Sequence, residues 1–187
     1  MLEQLVRHVA AIAKRPRSRL YQVVAVCGGA AMFLVIVPWA LGRMAMLLPV
    51  VASLTVYRGI EIGAGIVTVI AGLLMSFWAT HTFWRPGRGT PVPVAAPQRL
   101  VTTGPFRYCR NPIKLGAFLY FFGVGCLWVS LGAGLLMALT ALVLGIAYHR
   151  LIEEGELRLR FGEAYEEYRR TTPLLIPRWP KRYRDDG

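Results

Sequence analysis

The chain has 187 residues, of which 55% are hydrophobic and only 17% are charged, yet it carries 22 lysines and arginines against 10 acidic residues. An ordinary soluble domain has about 25% charged residues, so this composition argues against a soluble protein, and a mean hydropathy of +0.46 excludes a disordered chain. Basic residues mixed among apolar ones would indicate a nucleic-acid-binding protein. Here they are segregated from long apolar runs, which indicates a membrane protein with a positively charged cytoplasmic side and no nucleic-acid partner.

Residues 1–19 open the chain with an amphipathic pattern. Five apolar residues would share one face of a helix: Leu2, Leu5, Val6, Val9 and Ala13. Basic residues occupy the other faces, so we expect an interfacial helix that lies on anionic lipid headgroups. The apolar run that follows is longer than the apolar region of a signal peptide, which favours a retained anchor.

Apolar segments of membrane-spanning length follow. Residues 20–42 and 62–84 each contain 23 residues without Asp, Glu, Lys or Arg, enough helix at ~1.5 Å per residue to cross ~30 Å of hydrocarbon. Residues 115–149 contain 35 more, which predicts two helices, 113–130 and 132–149, joined by a tight turn. Residues 44–57 are interrupted by Pro49 and predict a loop or a re-entrant piece. The sequence thus predicts an all-α integral membrane protein with four transmembrane helices, an N-terminal interfacial helix and a C-terminal cytoplasmic helix.

The distribution of basic residues predicts the orientation. Twenty of the 22 fall in segments that would lie on one side of the membrane. By the positive-inside rule this side is cytoplasmic, so we expect a multi-pass protein with both termini in the cytoplasm. Residues 20–177 would form a single membrane-embedded domain, and residues 178–187 a flexible basic tail.

Several kinds of site are disfavoured by the sequence. The three cysteines and three histidines show no metal-ligand spacing, which predicts that no metal is bound. Glycine-rich nucleotide-binding motifs and the nucleophile elbow of hydrolases are also lacking in the sequence.

The first candidate functional segment is residues 103–116, which close a proline-rich connection. Asn111-Pro112 is a helix-start signal, since Asn can cap free backbone N–H groups and Pro suits the first helical position. Three basic residues reinforce the positive helix end: Arg107, Arg110 and Lys114. The segment therefore predicts a place for an anion at the membrane surface. The alternative is a capped helix whose basic side chains reach lipid headgroups.

The second candidate segment is residues 150–177. Glu153 and Glu154 directly follow an apolar helix whose C-terminal dipole would disfavour carboxylates, so we expect the helix to continue into the cytoplasm. Its features would be an apolar face of Phe161, Tyr165 and Tyr168, and a Glu166–Arg170 ion pair. Neighbouring glutamates diverge by about 100° on a helix, so one would face inward and the other water or Arg150. The alternative is a solvated acidic cap.

Together the two segments resemble a known family. They read Gly-Pro-aromatic-Arg-Tyr-x-Arg-x-Pro-x-x-x-Gly at 104–116, Glu-Glu-x-x-Leu-x-x-x-Phe-Gly-x-x-Tyr-x-x-Tyr at 153–168 and Pro-x-x-Ile-Pro at 173–177. This pattern is similar to that of the isoprenylcysteine carboxyl methyltransferase and phospholipid methyltransferase superfamily. The resemblance implies an integral membrane enzyme that uses S-adenosylmethionine, with a cofactor site assembled from 103–116 and 150–177. Direct SN2 methyl transfer needs alignment and exclusion of water rather than a metal.

The resemblance also implies site residues. Glu154, with Glu153 beside it, would hold the ammonium of the cofactor. Its carboxylate would be held by Arg110, Asn111 and the start of the third span, and Pro112 and Gly116 would also belong to the cofactor site. The adenine would be covered by Tyr108, Leu174 and Ile176.

Two positions depart from the family pattern and leave the acceptor open. Asn111 stands where the family has His, and Lys114 where it has Tyr, and either is a possible acceptor contact. The acceptor could be an isoprenylcysteine-type carboxylate, a phospholipid amine or another amphiphile. Two other functions stay open: a sterol-reductase-like NADPH oxidoreductase, for which the sequence shows no additional phosphate-binding element, and a non-catalytic membrane protein that keeps the fold.

Overall fold

The structure is a computed structural model that describes residues 2–14, 18–84, 90, 92 and 96–179. These ranges contain no strand and the following helices: α1 (Leu2–Ala13), α2 (Arg19–Met46), α3 (Pro49–Ser53), α4 (Arg58–Thr82), α5 (Pro112–Trp128), α6 (Leu131–Phe161) and α7 (Glu163–Thr171). The all-α prediction is therefore confirmed. Most of the proline-rich connection at 85–95, and the predicted basic tail from residue 180 onward, lie outside the described residues.

Three of these helices, α2, α4 and α6, are long and apolar enough to cross a membrane, and α5 is a shorter apolar helix of 17 residues. The predicted apolar segments are thus helical, but two boundaries were wrong. Helix α2 continues past residue 42 to Met46, and α4 begins at Arg58 rather than at residue 62. The segment 44–57 contains the end of α2 and the short helix α3.

An ion pair between the half-exposed Arg58 and the buried Glu61 explains why α4 begins early. Arg58 donates to the Oε2 atom of Glu61 at 2.9 Å, and its guanidinium also donates to the carbonyls of Cys126 and Leu127 at 2.8 and 2.7 Å. The Oε1 atom of Glu61 accepts from the backbone N–H of Leu131 at 3.3 Å. The pair thereby satisfies backbone groups at the end of α5 and the start of α6 that have no partner within their own helix.

Helix α2 is interrupted by a π-helical turn at Met32–Ile36, directly before Pro38. Proline has no N–H, so the carbonyl of Leu34, four residues earlier, loses its α-helical partner. The hydroxyl of Tyr120 on α5 donates to this carbonyl at 2.7 Å. The interruption in α2 is therefore also a point of attachment to α5.

Glycines allow α5 to approach both α4 and α6 closely. A Cβ atom on Gly72 of α4 would lie 2.5 Å from the carbonyl oxygen of Gly116 on α5, and one on Gly125 would lie 2.5 Å from the Cα atom of Gly134 on α6. Small residues at such contacts let membrane helices gain van der Waals packing along their backbones.

Helix α6 continues past the apolar run, as expected, through a second π-helical turn at His149–Glu153. It ends at Phe161 because Gly162 adopts φ +53°, a conformation that glycine tolerates. The prediction that Phe161, Tyr165 and Tyr168 share a face of one helix was therefore wrong, because Tyr165 and Tyr168 belong to α7. All three aromatic residues nevertheless pack into one core with residues of α4 and the loop before α5.

The charged residues of α7 also pair differently from the prediction. Glu166 accepts hydrogen bonds from Arg158 at 2.6 Å and from Arg169 at 3.0 Å, whereas the predicted partner was Arg170. The break at Gly162 turns α7 back toward α6, which brings Arg158 within reach. Burial alone would raise the pKa of Glu166, but the hydrogen bonds from the two arginines lower it below the ordinary value.

Helix α1 packs against α6 rather than presenting its whole apolar face outward. Val6 and Ala13 are buried, and Val6 lies against Gly155 of α6. Leu2 and Leu5 remain about half exposed. The predicted apolar face is therefore divided between a protein contact and an outer surface.

Candidate functional site

The two candidate segments meet at one end of the helix bundle. The loop before α5 runs beside the chain that follows α7, and the backbone N–H groups of Arg110 and Asn111 donate to the carbonyls of Pro173 and Leu174 at 2.8 and 3.1 Å. This pairing fixes the start of α5, where Pro112 occupies the first helical position as predicted. Side chains from the loop, α5, α6 and α7 then converge.

Arg110 connects three parts of this site. Its guanidinium lies 3.3 Å from the Oε1 atom of Glu154, donates to the hydroxyl of Tyr165 at 3.0 Å and donates to the carbonyl of Thr172 at 3.1 Å. The side chains of Arg110 and Glu154 are only 10% and 17% exposed. The planar guanidinium can address several acceptors at fixed angles, so it holds the loop, α6 and α7 together.

Lys114 and Asn111 form the other half of the site. The ammonium of Lys114 donates to the Oδ1 atom of Asn111 at 2.7 Å and also to the carboxylate of Glu153. The Nδ2 atom of Asn111 lies 3.4 Å from the Nδ1 atom of His149. The expectation that Asn111 caps α5 through its side chain was wrong, because its amide oxygen is occupied by Lys114.

His149 lies at the centre of the cluster and is 2% exposed. Its Nδ1 atom is 2.6 Å from the Oε2 atom of Glu153. A carboxylate can only accept, so we assign a proton to Nδ1, which donates it to Glu153; in this tautomer Nε2 is an acceptor. Nε2 is buried and has no hydrogen-bond partner within the described part of the chain. The Oε1 atom of Glu154 is 3.4 Å from Nε2, close enough for an electrostatic interaction, but the two atoms form no hydrogen bond.

The π-helical turn brings both glutamates to the same histidine. The N–H of Glu154 donates to the carbonyl of His149, five residues earlier. A π-helix has more residues per turn than an α-helix, so positions four and five residues later both return to the starting face. The expectation that one glutamate would face water or Arg150 was wrong, because Glu153 and Glu154 both face the cluster.

Two carboxylates and two cations balance the charge of the site. Glu153 pairs with Lys114, and Glu154 pairs with Arg110. Burial raises the pKa of the Tyr165 phenol, and Arg110 offsets this only in part. Tyr165 is therefore a neutral hydroxyl that accepts from Arg110. Because each charge is paired, the buried cluster avoids the large penalty of an isolated charge.

The structure places the other predicted site residues at different distances from the cluster. Tyr108 is half-buried, with its ring centroid 5.5 Å from that of Trp179 and 6.4 Å from that of Trp78 on α4. Leu174 is half-buried beside Asn111. Ile176 is 78% exposed and is not brought to the cluster.

Gly116 lies on the contact between α4 and α5. A Cβ atom at this position would lie 2.4 Å from the Oγ atom of Ser76. The structure therefore gives Gly116 a packing role and does not bring it into the cluster with Arg110 and Glu154.

Three residues of the site were not recognised in the sequence: His149, Tyr165 as a partner of Arg110, and Thr172. Only His149 carried a usable signal, because it lies four residues before Glu153, a spacing that places both on one helical face. Within the described ranges, no group of three or more His, Cys, Asp or Glu residues could hold a metal ion.

An open apolar groove of about 520 Å³ runs along the outer face of α4, and its lining includes Ala71, Leu74, Met75, Phe77, Trp78 and His81. Trp78 belongs both to this groove and to the aromatic contact with Tyr108. One residue that lines the groove therefore contacts the loop that carries Arg110.

A known family and several known proteins are similar to parts of this chain. The phospholipid methyltransferase family matches residues 60–164, more than half of the chain. The methanethiol S-methyltransferase 2 of Bradyrhizobium diazoefficiens is 33% identical over 81 residues, which cover 43% of this chain and 30% of that protein. No solved structure matches the chain.

Two metal-resistance proteins are also similar. The nickel-cobalt-cadmium resistance protein NccN of Alcaligenes xylosoxydans xylosoxydans is 35% identical over 80 residues, and the cobalt-zinc-cadmium resistance protein CzcN of Cupriavidus metallidurans is 36% identical over 81 residues. Each match covers 42% of this chain and 36% of the relative, so the chain matches about a third of the length of its curated relatives. The family match and the long apolar helices together identify an integral membrane protein that belongs to the phospholipid methyltransferase family.

Proposed function

We propose that the chain is a membrane methyltransferase that moves a methyl group from S-adenosylmethionine to an amphiphilic acceptor at the cytoplasmic boundary. The family match and the methyltransferase among its relatives support this activity. The observation that carries the proposal is the 3.3 Å contact between Arg110 and Glu154. It joins the two segments that resemble the family and sets a buried cation beside a buried carboxylate.

This pair fits the amino-acid end of the cofactor, which bears a carboxylate and an ammonium. Arg110 would turn to hold the carboxylate, and Glu154 would hold the ammonium. Buried polar atoms in proteins are almost always hydrogen-bonded. The unpaired Nε2 atom of His149, 3.4 Å from Glu154, thus gives the cluster spare hydrogen-bonding capacity for a ligand.

The cofactor supplies a methyl group already activated by its sulfonium, which transfers by direct SN2 displacement. The residues of the chain therefore have to bind, orient and exclude water rather than provide a metal or a strong acid. Tyr108 and Leu174 flank the loop and would cover the adenine. Lys114 and Asn111 are the candidate contacts to a polar group of the acceptor.

The apolar part of the acceptor would lie in the groove on α4. This groove is open on its outer side and reaches Trp78, beside Tyr108, so an acyl or prenyl chain could enter sideways from the bilayer. Both acceptor classes considered, an isoprenylcysteine-type carboxylate and a phospholipid amine, have such a chain.

We further propose that α5 also crosses the membrane, which makes four crossings with both termini in the cytoplasm. Its 17 residues span about 26 Å of helix at ~1.5 Å per residue, slightly less than an average hydrocarbon core. The strong bias of basic residues toward one side supports the orientation. Helix α1 would lie on anionic headgroups with Leu2 and Leu5, and residues 20–177 would form one domain.

The proposal is tested by titrating the purified full chain in detergent with S-adenosylmethionine and, separately, with NADPH. We expect binding of S-adenosylmethionine and a clear loss of affinity in Glu154→Gln, but not in the matched control Glu167→Gln, which changes an exposed glutamate of α7. A wild-type chain that binds NADPH and not S-adenosylmethionine would favour the oxidoreductase instead. Transfer of a labelled methyl group to extracted lipids would then identify the acceptor class.

A further inference from the structure

His149 lies outside the motifs at 104–116, 153–168 and 173–177, yet it is central to the site and only 2% exposed. Its Nε2 atom and the Oε1 atom of Glu154 lie 3.4 Å apart without a hydrogen bond between them. We propose that these two atoms together bind the ammonium of the cofactor's amino-acid end, and that Glu153 positions His149 for this task. The inference rests on the proposed function.

The surroundings of His149 make Nε2 an acceptor. The carboxylate of Glu153 accepts a hydrogen bond from Nδ1–H at 2.6 Å, and the charge of Glu153 is balanced by Lys114. The amide nitrogen of Asn111 lies 3.4 Å from Nδ1, because Lys114 holds the amide oxygen; with the proton on Nδ1 both atoms are donors, so no hydrogen bond joins them and Nδ1 donates to Glu153 alone. The ionisable groups directly facing the ring are thus Glu153 and Glu154 of its own helix, with Lys114 and Arg110 one contact further away.

Two adjacent acceptors without a shared proton favour a ligand that has several hydrogens on one cationic atom. A primary ammonium has three N–H donors and can bridge both atoms, whereas a quaternary ammonium has none. The positive charge of the primary ammonium would also replace that of Arg110 beside Glu154, once the Arg110 side chain has moved to bind the carboxylate of the cofactor.

The position of Arg110 favours an α-amino acid over a lipid amine. The guanidinium is 3.3 Å from the same Oε1 atom of Glu154 that faces His149, so the anion and cation positions are immediate neighbours. In an α-amino acid, one carbon separates the ammonium from the carboxylate group. In a phosphoethanolamine headgroup, the ammonium and the phosphate are separated by a longer linker.

Two ligands and two substitutions test the inference in the full chain. S-adenosylhomocysteine has the amino-acid end, and 5′-methylthioadenosine has the adenosine and the sulfur without it. His149→Asn keeps a polar group near the Nδ1 position and removes the one at Nε2, whereas His149→Gln keeps one near Nε2. The exposed His8→Asn on α1 is the matched control.

We expect His149→Asn to bind S-adenosylhomocysteine about tenfold or more weakly, the size expected for losing a hydrogen bond to a charged group. His149→Gln should lose less, and neither variant should change binding of 5′-methylthioadenosine, which also reports that the protein is folded.

Equal losses for both ligands, or no loss for either, would overturn the inference. A wild-type chain that binds neither ligand would instead refute the proposed function itself. If His149→Asn keeps its affinity for S-adenosylhomocysteine but binds vesicles containing phosphatidylethanolamine more weakly than wild type does, the ammonium position belongs to the acceptor and the assignment to the cofactor is wrong.

Discussion

The hydroxyl of Tyr120 donates a 2.7 Å hydrogen bond to the backbone carbonyl of Leu34, whose α-helical partner is removed by Pro38. A side chain of one apolar helix thus completes the backbone of another. In a lipid environment, where no water can replace the lost partner, such a bond contributes to the association of the two helices.

Tyr120→Phe removes this hydroxyl and should lower the free energy of unfolding by about 0.5–2 kcal/mol, the range for hydrogen bonds between membrane helices. The change is measured as a lower thermal midpoint in detergent. Tyr57→Phe, at a residue that is 77% exposed, is the control. Equal midpoints for Tyr120→Phe and wild type would show that the bond does not contribute to stability.

Gly116→Ala should destabilise the contact between α4 and α5. The added methyl group would meet the Oγ atom of Ser76 and the carbonyl oxygen of Gly72 at 2.4 and 2.8 Å, and overpacking of this kind costs about 1–3 kcal/mol. Gly63→Ala on α4 is the matched control, because its Cβ would meet no atom within 4 Å. We expect thermal unfolding to separate the two variants, with Gly63→Ala near wild type.

Arg110→Lys keeps the positive charge but loses the planar fork that contacts Glu154, Tyr165 and Thr172. A lysine cannot reproduce this geometry. We therefore expect a loss of about 1–3 kcal/mol in stability together with weaker S-adenosylmethionine binding. Arg99→Lys, at an exposed position of the preceding connection, controls for the substitution itself. Unchanged ligand affinity in Arg110→Lys would argue against a carboxylate at this position.

Tyr168 should make the free energy of unfolding depend on pH in the alkaline range. Its hydroxyl donates to the carbonyl of Phe106 at 2.6 Å, and burial raises the pKa of this phenol well above its usual range. In the unfolded chain the phenol releases its proton near pH 10, while the folded chain retains it. The contribution of Tyr168 to stability is therefore complete below about pH 10 and is lost progressively as the pH rises further.

Thermal midpoints measured between pH 8 and 11 should fall less steeply in Tyr168→Phe than in wild type, although the variant starts from a lower stability because it lacks the hydrogen bond. A slope identical to that of wild type would contradict this account. The thermal midpoint of Tyr168→Phe should still fall somewhat as the pH rises, since burial also raises the pKa of Tyr165.

The apolar helices were predictable because their signal is long and additive over many residues. Asn111-Pro112 also predicted the start of α5 correctly. The boundaries of the apolar helices were harder to predict. In the sequence, Glu61 marks the end of an apolar segment, and only its ion pair with Arg58 shows that the helix includes it. Such a pairing depends on where α5 ends, which no local pattern reveals.

The site was predictable in its segments but not in its contacts. The break at Gly162 had a local signal, since a glycine after a helical pattern is a common helix end. The π-helical turn had none, and it is this turn that directs Glu153 and Glu154 to the same side. His149 was overlooked because a single histidine at the end of an apolar run is ordinarily a packing residue.

The π-helical turn at His149–Glu153 has a consequence for comparing relatives of this chain. One additional residue is accommodated in that turn, so the number of residues between the histidine and the glutamates determines which side chains meet. A relative with the same Glu-Glu pair, but with its histidine one residue nearer or further, would have an identical composition in this segment and a different site. Alignments across residues 149–154 should therefore be judged by spacing as well as by identity.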